Sequence, residues 1–248
     1  MAHDDGYFDE RIAATFDDDY DHQNDPAVLQ PIVDFLGELA GDGRALELGS
    51  GTGRIALPLA ARGVPVHGIE LSRAMTARLR AKPGGDGIGI TIGDFAAARA
   101  DGTFRLAYLV ANTIMNLTTQ EAQVACFRNV AAHLEPGGQF VIECVVPDLQ
   151  RLPPGETFHV FDASEAHWGI DEIDVVTQGL VSHHFRIKDG QIDRFSAPFR
   201  YVWPAELDLM AQLAGMELRE RWAGWKREPF TSASRQHISV WETATSTR

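Results

Sequence analysis

The sequence predicts an α/β domain: a mostly parallel sheet with helices on both faces, followed by an antiparallel β addition. Three observations predict it. A strand-like run enters a glycine-rich turn that opens a helix at residues 45–61. Apolar strand signals then alternate with helix signals to about residue 146. A β-rich stretch with a hairpin signal follows, before a last helix and two strands.

Each element has its own signal. Phe8, Ile12, Ala13 and Phe16 stand at helix spacing in a lead-in segment. Asp25-Pro26 starts a helix reaching about Ala40, with an apolar stripe of Val28, Leu29, Ile32, Val33, Leu36 and Leu39. Pro31 inside it predicts a kink or a late start. Residues 45–48 form the first strand, and Gly49, Gly51 and Gly53 the turn. Residues 55–61 read as an amphipathic helix, so the turn lies at a helix N-terminus, the strand–turn–helix construction that binds nucleotides.

Residues 64–70 make a second strand ending in Glu70, seventeen residues after Gly53. Ser72 caps a helix to about Lys82, stopped by Pro83-Gly84-Gly85. Residues 88–92 are a third strand, followed by Gly93-Asp94-Phe95, and residues 104–111 a fourth, running into Asn112 and Asn116. Thr118-Thr119-Gln120-Glu121 has capping-box spacing and opens a helix to about Leu134. The turn Leu134-Glu135-Pro136-Gly137-Gly138 leads into a fifth strand ending at Glu143.

Beyond it, residues 147–203 depart from that alternation. Residues 175–187 and 191–203 are β-rich and joined by Lys188-Asp189-Gly190, a hairpin turn. Alternation places Val181, His183, Phe185 and Ile187 on one face, and Phe195, Ala197, Phe199, Tyr201 and Trp203 are expected to face the same space. His184 points the other way. Residues 204–214 then form a helix, and 216–222 and 236–243 two strands.

Composition narrows the class. The 248 residues carry a formal net charge of −13, which opposes binding to nucleic acid or to an anionic membrane. No apolar run reaches membrane-spanning length, and residues 1–5 lack the basic and apolar regions of a signal peptide. Nine of the 35 acids fall in the first 25 residues, an acidic run that reads mainly as solvation of a mobile lead-in. Cys126 and Cys144 read as buried thiols of a cytoplasmic protein. No cysteine or histidine spacing suggests a metal.

The spacing Glu47-Leu48-Gly49-Ser50-Gly51-Thr52-Gly53 differs from the G-x-G-x-x-G of dinucleotide sites. With Glu70, Asp94 and the 134–143 turn, in that order, it resembles the class I S-adenosylmethionine-dependent methyltransferases, in particular those acting on natural products and small amines. The resemblance is strong over residues 45–146 and moderate over 204–243. It implies a Rossmann-like seven-stranded, mostly parallel sheet, with an antiparallel insert after strand five. Within one domain, 1–43 are then cap helices, 44–146 the cofactor core, 147–203 a roof over the substrate and 204–248 the closing helix and strand pair.

The resemblance implies site residues as well. Glu47 accepts from the cationic amino group of the methionine moiety, Glu70 takes the ribose diol, and Asp94 takes the adenine amine with its neighbour Phe95 against the ring. Gly49, Ser50, Gly51, Gly53, Arg54, Leu71, Met75, Gly93, Ala111, Asn112, Asn116 and Tyr20 complete the expected cofactor shell. Read alone, Glu70 also fits a plain strand end, Asp94 a turn former and Tyr20 a packing aromatic.

Methyl transfer from a sulfonium needs an aligned nucleophile about 3–3.5 Å from the methyl carbon, shielded from water. The expected base is His183, with Tyr20, His159 and His167 as alternatives, or no dedicated base at all. Trp168, Phe185, Phe199 and Tyr201 are expected to line a small, partly apolar substrate, with Phe158 and Phe161 in the same roof. Glu143 either pairs with a substrate amine or caps its strand. The activity expected is methylation of N, O or an activated aromatic carbon. An NAD(P)-dependent oxidoreductase is the alternative enzyme, though neither Tyr108 nor Tyr201 is followed four residues later by Lys. A non-catalytic cofactor-binding module is the third reading.

Overall fold

The computed structural model describes residues 7–188 and 190–245. The signal-peptide reading of residues 1–5 and the Asp189 position of the hairpin turn lie outside the described residues. The chain forms a seven-stranded sheet with helices on both faces and a separate four-stranded antiparallel sheet.

β1 (Ala45–Leu48) sits inside the large sheet, buried along its whole length. It pairs in parallel with β2 (Val66–Glu70) on one side and β4 (Phe104–Leu109) on the other. β3 (Gly89–Ile92) continues beyond β2, and β5 (Leu134–Val145) beyond β4. β11 (Gln236–Thr243) runs antiparallel to β5, and β10 (Met216–Trp222) antiparallel to β11. Central parallel strands are covered on both faces and so are near-continuously apolar. That makes the buried Glu47 in β1 conspicuous.

The helices begin where polar caps satisfy their free N–H groups. Asp9 caps α1 (Glu10–Asp19) and Asp25 caps α2 (Pro26–Ala40). Neither a late start nor a break occurs at Pro31; α2 is one helix through it. Ser72 Oγ accepts from the Met75 N–H at the start of α4 (Arg73–Arg80). Thr119 caps α5 (Gln120–Ala131), one residue later than the capping-box spacing suggests. α3 (Ala56–Ala61) follows the glycine turn, and α6 (Pro204–Leu213) precedes β10.

One face of the large sheet packs Phe127, Phe140, Trp241, Leu207 and Met210 into a core with α5 and α6. The other packs Phe35, Leu36, Ile55, Leu59 and Val141 with α2 and α3. Each fully buried aromatic or aliphatic side chain contributes about 1.5–3 kcal/mol by leaving water. α1 docks separately on α4, through Ala13 against Ala74 and Met75.

The second sheet is β6 (Phe158–Ala163), β7 (His167–Asp174), β8 (Gly179–Lys188) and β9 (Gln191–Arg200), in that order. Two strands not foreseen, β6 and β7, add to the expected hairpin. Val175 and Val176 belong to a turn rather than a strand, and are 66% and 88% exposed. Buried Arg200, at the end of β9, bonds Gln123 of α5, Gln178 and Glu206 of α6. This knot fastens the second sheet to the body of the protein.

Candidate active site

The carboxyl ends of β1, β2, β4 and β5 meet one edge of the sheet, the place where such folds hold ligands. The glycine turn crosses it. Gly49, Gly51 and Gly53 all have positive φ, which side chains with a Cβ rarely adopt. At Gly51 (φ +53°) a Cβ would stand in open space, so the main chain there is bare toward a ligand. The Gly51 N–H donates to Glu70 Oε2 at 2.7 Å, and the Ser72 N–H donates to Glu70 Oε1 at 2.8 Å.

Glu47 lies beneath the turn, 3% exposed, and its Oε2 has no hydrogen-bond partner among the described residues. Burial pushes its carboxyl up to about 8, against the pull of the Arg54 guanidinium. A buried carboxyl with an unused oxygen carries a desolvation cost that a cation would offset. The residues therefore fit an adenosyl sulfonium amino acid: an orphaned acid for its ammonium and an open glycine cradle beside it. Farther along the edge, Leu71 is 39% exposed and Asp94 is exposed, its Oδ1 accepting from the Ala96 N–H.

Other expected cofactor residues lie deeper. Met75 is 1% exposed in the α1–α4 contact, Phe95 is buried in the core, and Ser50 is buried with an unpartnered hydroxyl. Gly93 ends β3, its N–H donating to the Glu70 carbonyl.

A cavity of about 590 Å³ opens beside this edge. Arg54, Ala111, Asn112, Asn116, Glu143 and Tyr20 line it from below and from α1. Ala111 (φ +54°) and Asn112 (φ +62°) are consecutive left-handed residues without being glycine, a strained turn on the cavity wall. Glu143 holds that turn: its Oε2 accepts from the Ala111 N–H, and its Oε1 accepts from Trp225 Nε1, each at 2.8 Å. Asn112 Oδ1 accepts from the Val145 N–H. Glu143 lies within β5 rather than at its end, and these bonds tie it to the turn after β4 and to Trp225.

The roof of the cavity corrects the expected facing. Lys188 pairs with Gln191, Phe185 with Arg194 and His184 with Phe195, so even positions of β8 share a face with odd positions of β9. A one-residue error in register exchanges the two faces of a strand. Leu180, Ser182, His184, Ala197 and Phe199 therefore face the cavity. His183 faces outward, bonded to Ser196 and Glu172, and Phe185 lies beside Arg194 on that outer face. Trp168 pairs with Phe185 there and is 51% exposed. Tyr201 follows the last roof strand and is buried in the core. Phe199 alone of the four expected substrate aromatics lines the cavity. Phe161 joins it, its ring lying over Gly169, where it leaves no room for a Cβ.

Residues that the sequence reading passed over complete the site. Asp171 lines the cavity with Oδ1 buried and without a partner among the described residues, and burial raises its carboxyl above the usual range against the pull of the Ser182 hydroxyl. Tyr7, Phe8 and Phe16 close the side formed by α1 and its lead-in. The acidic run near the N-terminus is more than solvation. Asp17 accepts from Thr52 Oγ1 at 2.6 Å and pairs with Lys82 at 2.7 Å, clasping α1 to the glycine turn. Asp19 pairs with Arg186 of the roof at 2.8 Å.

Fold and site define a methyltransferase, and comparison with known proteins agrees. A family model described as a methyltransferase domain matches residues 45–138. The solved CcbJ methyltransferase from Streptomyces caelestis is 36% identical, with 98% of this chain and 100% of that one covered and a TM-score of 0.85. The cypemycin N-terminal methyltransferase of a Streptomyces species is 29% identical over 209 residues, 81% of this chain and 84% of that protein. CalS10, an amino pentose methyltransferase from Micromonospora echinaspora solved with S-adenosylmethionine bound, shares the fold at 23% identity and a TM-score of 0.64, over 87% and 90% of the two chains. This chain belongs to the S-adenosylmethionine-dependent methyltransferases. No helix among the described residues is long and apolar enough to cross a membrane.

Proposed function

We propose that this enzyme methylates the nitrogen of a small, partly apolar amine of secondary metabolism, in the cytoplasm. The observation that carries the amine reading is Asp171. It is a carboxyl on the cavity wall, in the part lined by Phe161, Leu180 and Phe199, with a buried oxygen that no group among the described residues satisfies. A cationic amine would satisfy it. The name of the cypemycin N-terminal methyltransferase supports nitrogen, and that of the amino pentose enzyme supports a small, amine-bearing acceptor. The unpaired, buried Cys126 and Cys144 support a reducing compartment.

Glu47 is assigned to the cofactor's ammonium, Glu70 to its ribose, Leu71 and Asp94 to its adenine, and Arg54, Asn112, Asn116 and Tyr20 to its methionine half. When bound, S-adenosylmethionine supplies a methyl carbon on a cationic sulfur, which leaves as a neutral sulfide when the new bond forms. The chain's own part is to orient, to exclude water and to manage a proton. Phe16, Phe161 and Phe199 exclude water from the reacting centre. Asp171 holds the amine in place.

The test is methyl transfer from labelled cofactor to panels of small amines, amino sugars, free peptide N-termini, phenols and enols. Amine turnover is expected, and Asp171→Asn raises KM for amines about tenfold or more, matching one lost charge-assisted bond of about 1.5–3 kcal/mol. Preference for a neutral phenol or carbon acceptor, indifferent to Asp171→Asn, would overturn the reading.

A further inference from the structure

Behind the cavity wall runs a line of hydrogen-bonding side chains that the site described so far does not use. His184 lines the cavity. Its Nε2 lies 3.2 Å from Ser182 Oγ, also on the wall, and its Nδ1 lies 3.0 Å from Nε2 of His167. His167 Nδ1 lies 2.6 Å from Asp162 Oδ2, and the Asp162 side chain is 38% exposed. Four residues from three strands thus connect the cavity to the outer surface.

The carboxylate end sets the protons of the whole line. A ring nitrogen facing a carboxylate at that distance carries hydrogen, so the neutral form of His167 is the Nδ1–H tautomer, and its Nε2 accepts. The nitrogen facing it, His184 Nδ1, must then donate. This leaves His184 Nε2 as a bare lone pair beside the Ser182 hydroxyl, whose one proton can go to it or to Asp171. Aromatic packing fixes the ring planes: His184 stacks on Phe195 at 4.6 Å and 9°, with Phe161 edge-on at 5.5 Å. The arrangement is not a metal site, since the two facing nitrogens are occupied by each other and no metal-holding group occurs among the described residues.

We propose that His184 is the proton acceptor of the reaction, and that His167 and Asp162 are positioning residues that set its tautomer and carry the proton out. This rests on the amine reading above. A bound alkylammonium has no lone pair to attack with. It gives one proton to Ser182 Oγ, whose own proton passes to His184 Nε2, and the amine keeps the electron pair of the broken N–H bond. His184 then gives its Nδ1 proton to His167 Nε2, His167 gives its Nδ1 proton to Asp162 Oδ2, and Asp162 releases it to water. Each residue gains one proton and loses one, which leaves both rings as Nε2–H tautomers. Once the product has left, a water proton taken up at Asp162 runs the line back, restores the Nδ1–H forms and is given up from Ser182 to water in the emptied cavity. Burial keeps His184 uncharged at neutral pH, its pKa lowered to about 4, so its lone pair is available. The other ionisable groups facing this space or acting on His184 are Asp171, Glu143, Arg54, His183, Arg186 with its partner Asp19, Tyr7 and Tyr20.

Two measurements on the full-length enzyme test this. The first compares a strongly basic alkylamine with a weakly basic amine that is neutral at the assay pH. His184→Ala should lower kcat for the alkylamine about 10²-fold, with the larger loss toward acid pH, and leave the weakly basic amine within about threefold. His183→Ala, on the other face of the same strand, should change neither. Equal losses with both amines, or none, would overturn the proposal. The second is a nitrogen-15 histidine spectrum, independent of substrate. It should show His167 and His184 as Nδ1–H tautomers, and Asp162→Asn should disturb both. A proton on His184 Nε2, or no response to Asp162→Asn, would overturn it. Should the enzyme methylate no amine at all, the functional reading fails, and the spectrum still decides the relay.

Discussion

The Gly51 N–H donates to Glu70 Oε2 across 2.7 Å, so the glycine turn of β1 is closed onto the acid that ends β2. The same carboxylate accepts from Ser72 at the start of α4. One side chain therefore ties the glycine turn to the start of α4. Glu70→Ala should weaken binding of S-adenosylhomocysteine by about 1–3 kcal/mol through lost charge-assisted bonds. Gly51→Val, a branched residue at φ +53° reaching into open space, should abolish it. Calorimetric titration of each variant checks both, and unchanged affinity for Gly51→Val would remove the turn from the cofactor site.

Glu47 makes binding a proton-releasing event. Its folded pKa of about 8 leaves it mostly protonated at pH 7. Taking a ligand ammonium ionises it, so nearly one proton should leave per ligand bound at that pH. Titrations in buffers of different ionisation enthalpy measure this count. Glu47→Gln should reduce it to near zero and weaken binding. No release from the unmodified protein would mean that Glu47 does not meet the cation.

His237 makes stability acid-sensitive. It is fully buried in β11, its Nε2 unpartnered, and burial lowers its pKa to about 4. The unfolded value is about 6.5. Between the two the unfolded chain binds a proton that the folded chain refuses, so stability falls as pH drops through this window and is level above it. The loss amounts to about 3 kcal/mol when complete, one pKa unit being worth about 1.36 kcal/mol. Glu47 acts oppositely, its raised folded pKa withdrawing stability as pH climbs from about 4.3 toward 8. Urea unfolding of the wild type and of His237→Leu at pH 7 and pH 4.5 isolates the histidine, whose variant should show the smaller acid loss.

Arg200 supplies the fourth prediction. It is 3% exposed and bonded to Gln123, Gln178 and Glu206. Arg200→Ala leaves Glu206 without its charge partner and should destabilise by about 3–5 kcal/mol. Arg200→Met, which keeps the stem packed, together with Glu206→Gln, should recover part of that loss. A thermal or urea melt in which Arg200→Ala costs under about 1 kcal/mol would show the knot to be incidental.

What the sequence revealed and what it concealed divide along a physical line. Glu47, the three glycines, Glu70 and the 134–143 turn are local signals, each carried by a few neighbouring residues whose spacing alone implies strand, turn and helix. Ser72 and Asp25 were legible as caps for the same reason. The roof was not, because which side of β8 faces inward depends on its pairing with β9. The hairpin itself held the clue: Lys188 pairing with Gln191 across two residues forces even positions opposite odd ones, which puts His184 rather than His183 inward. Asp17 meeting Thr52 and Lys82, or Arg200 meeting Gln123 and Glu206, is a contact between distant segments that no periodicity encodes.

Among the described residues the four roof strands pair as a sheet only with one another, while the seven strands below carry the glycine turn and its acids. Changes of lining at Leu180, Phe161 or Phe199 leave every backbone pairing of the lower sheet untouched. On the function proposed above, evolution or an engineer can thus retool which molecule receives the methyl group while the donor's berth stays as it is.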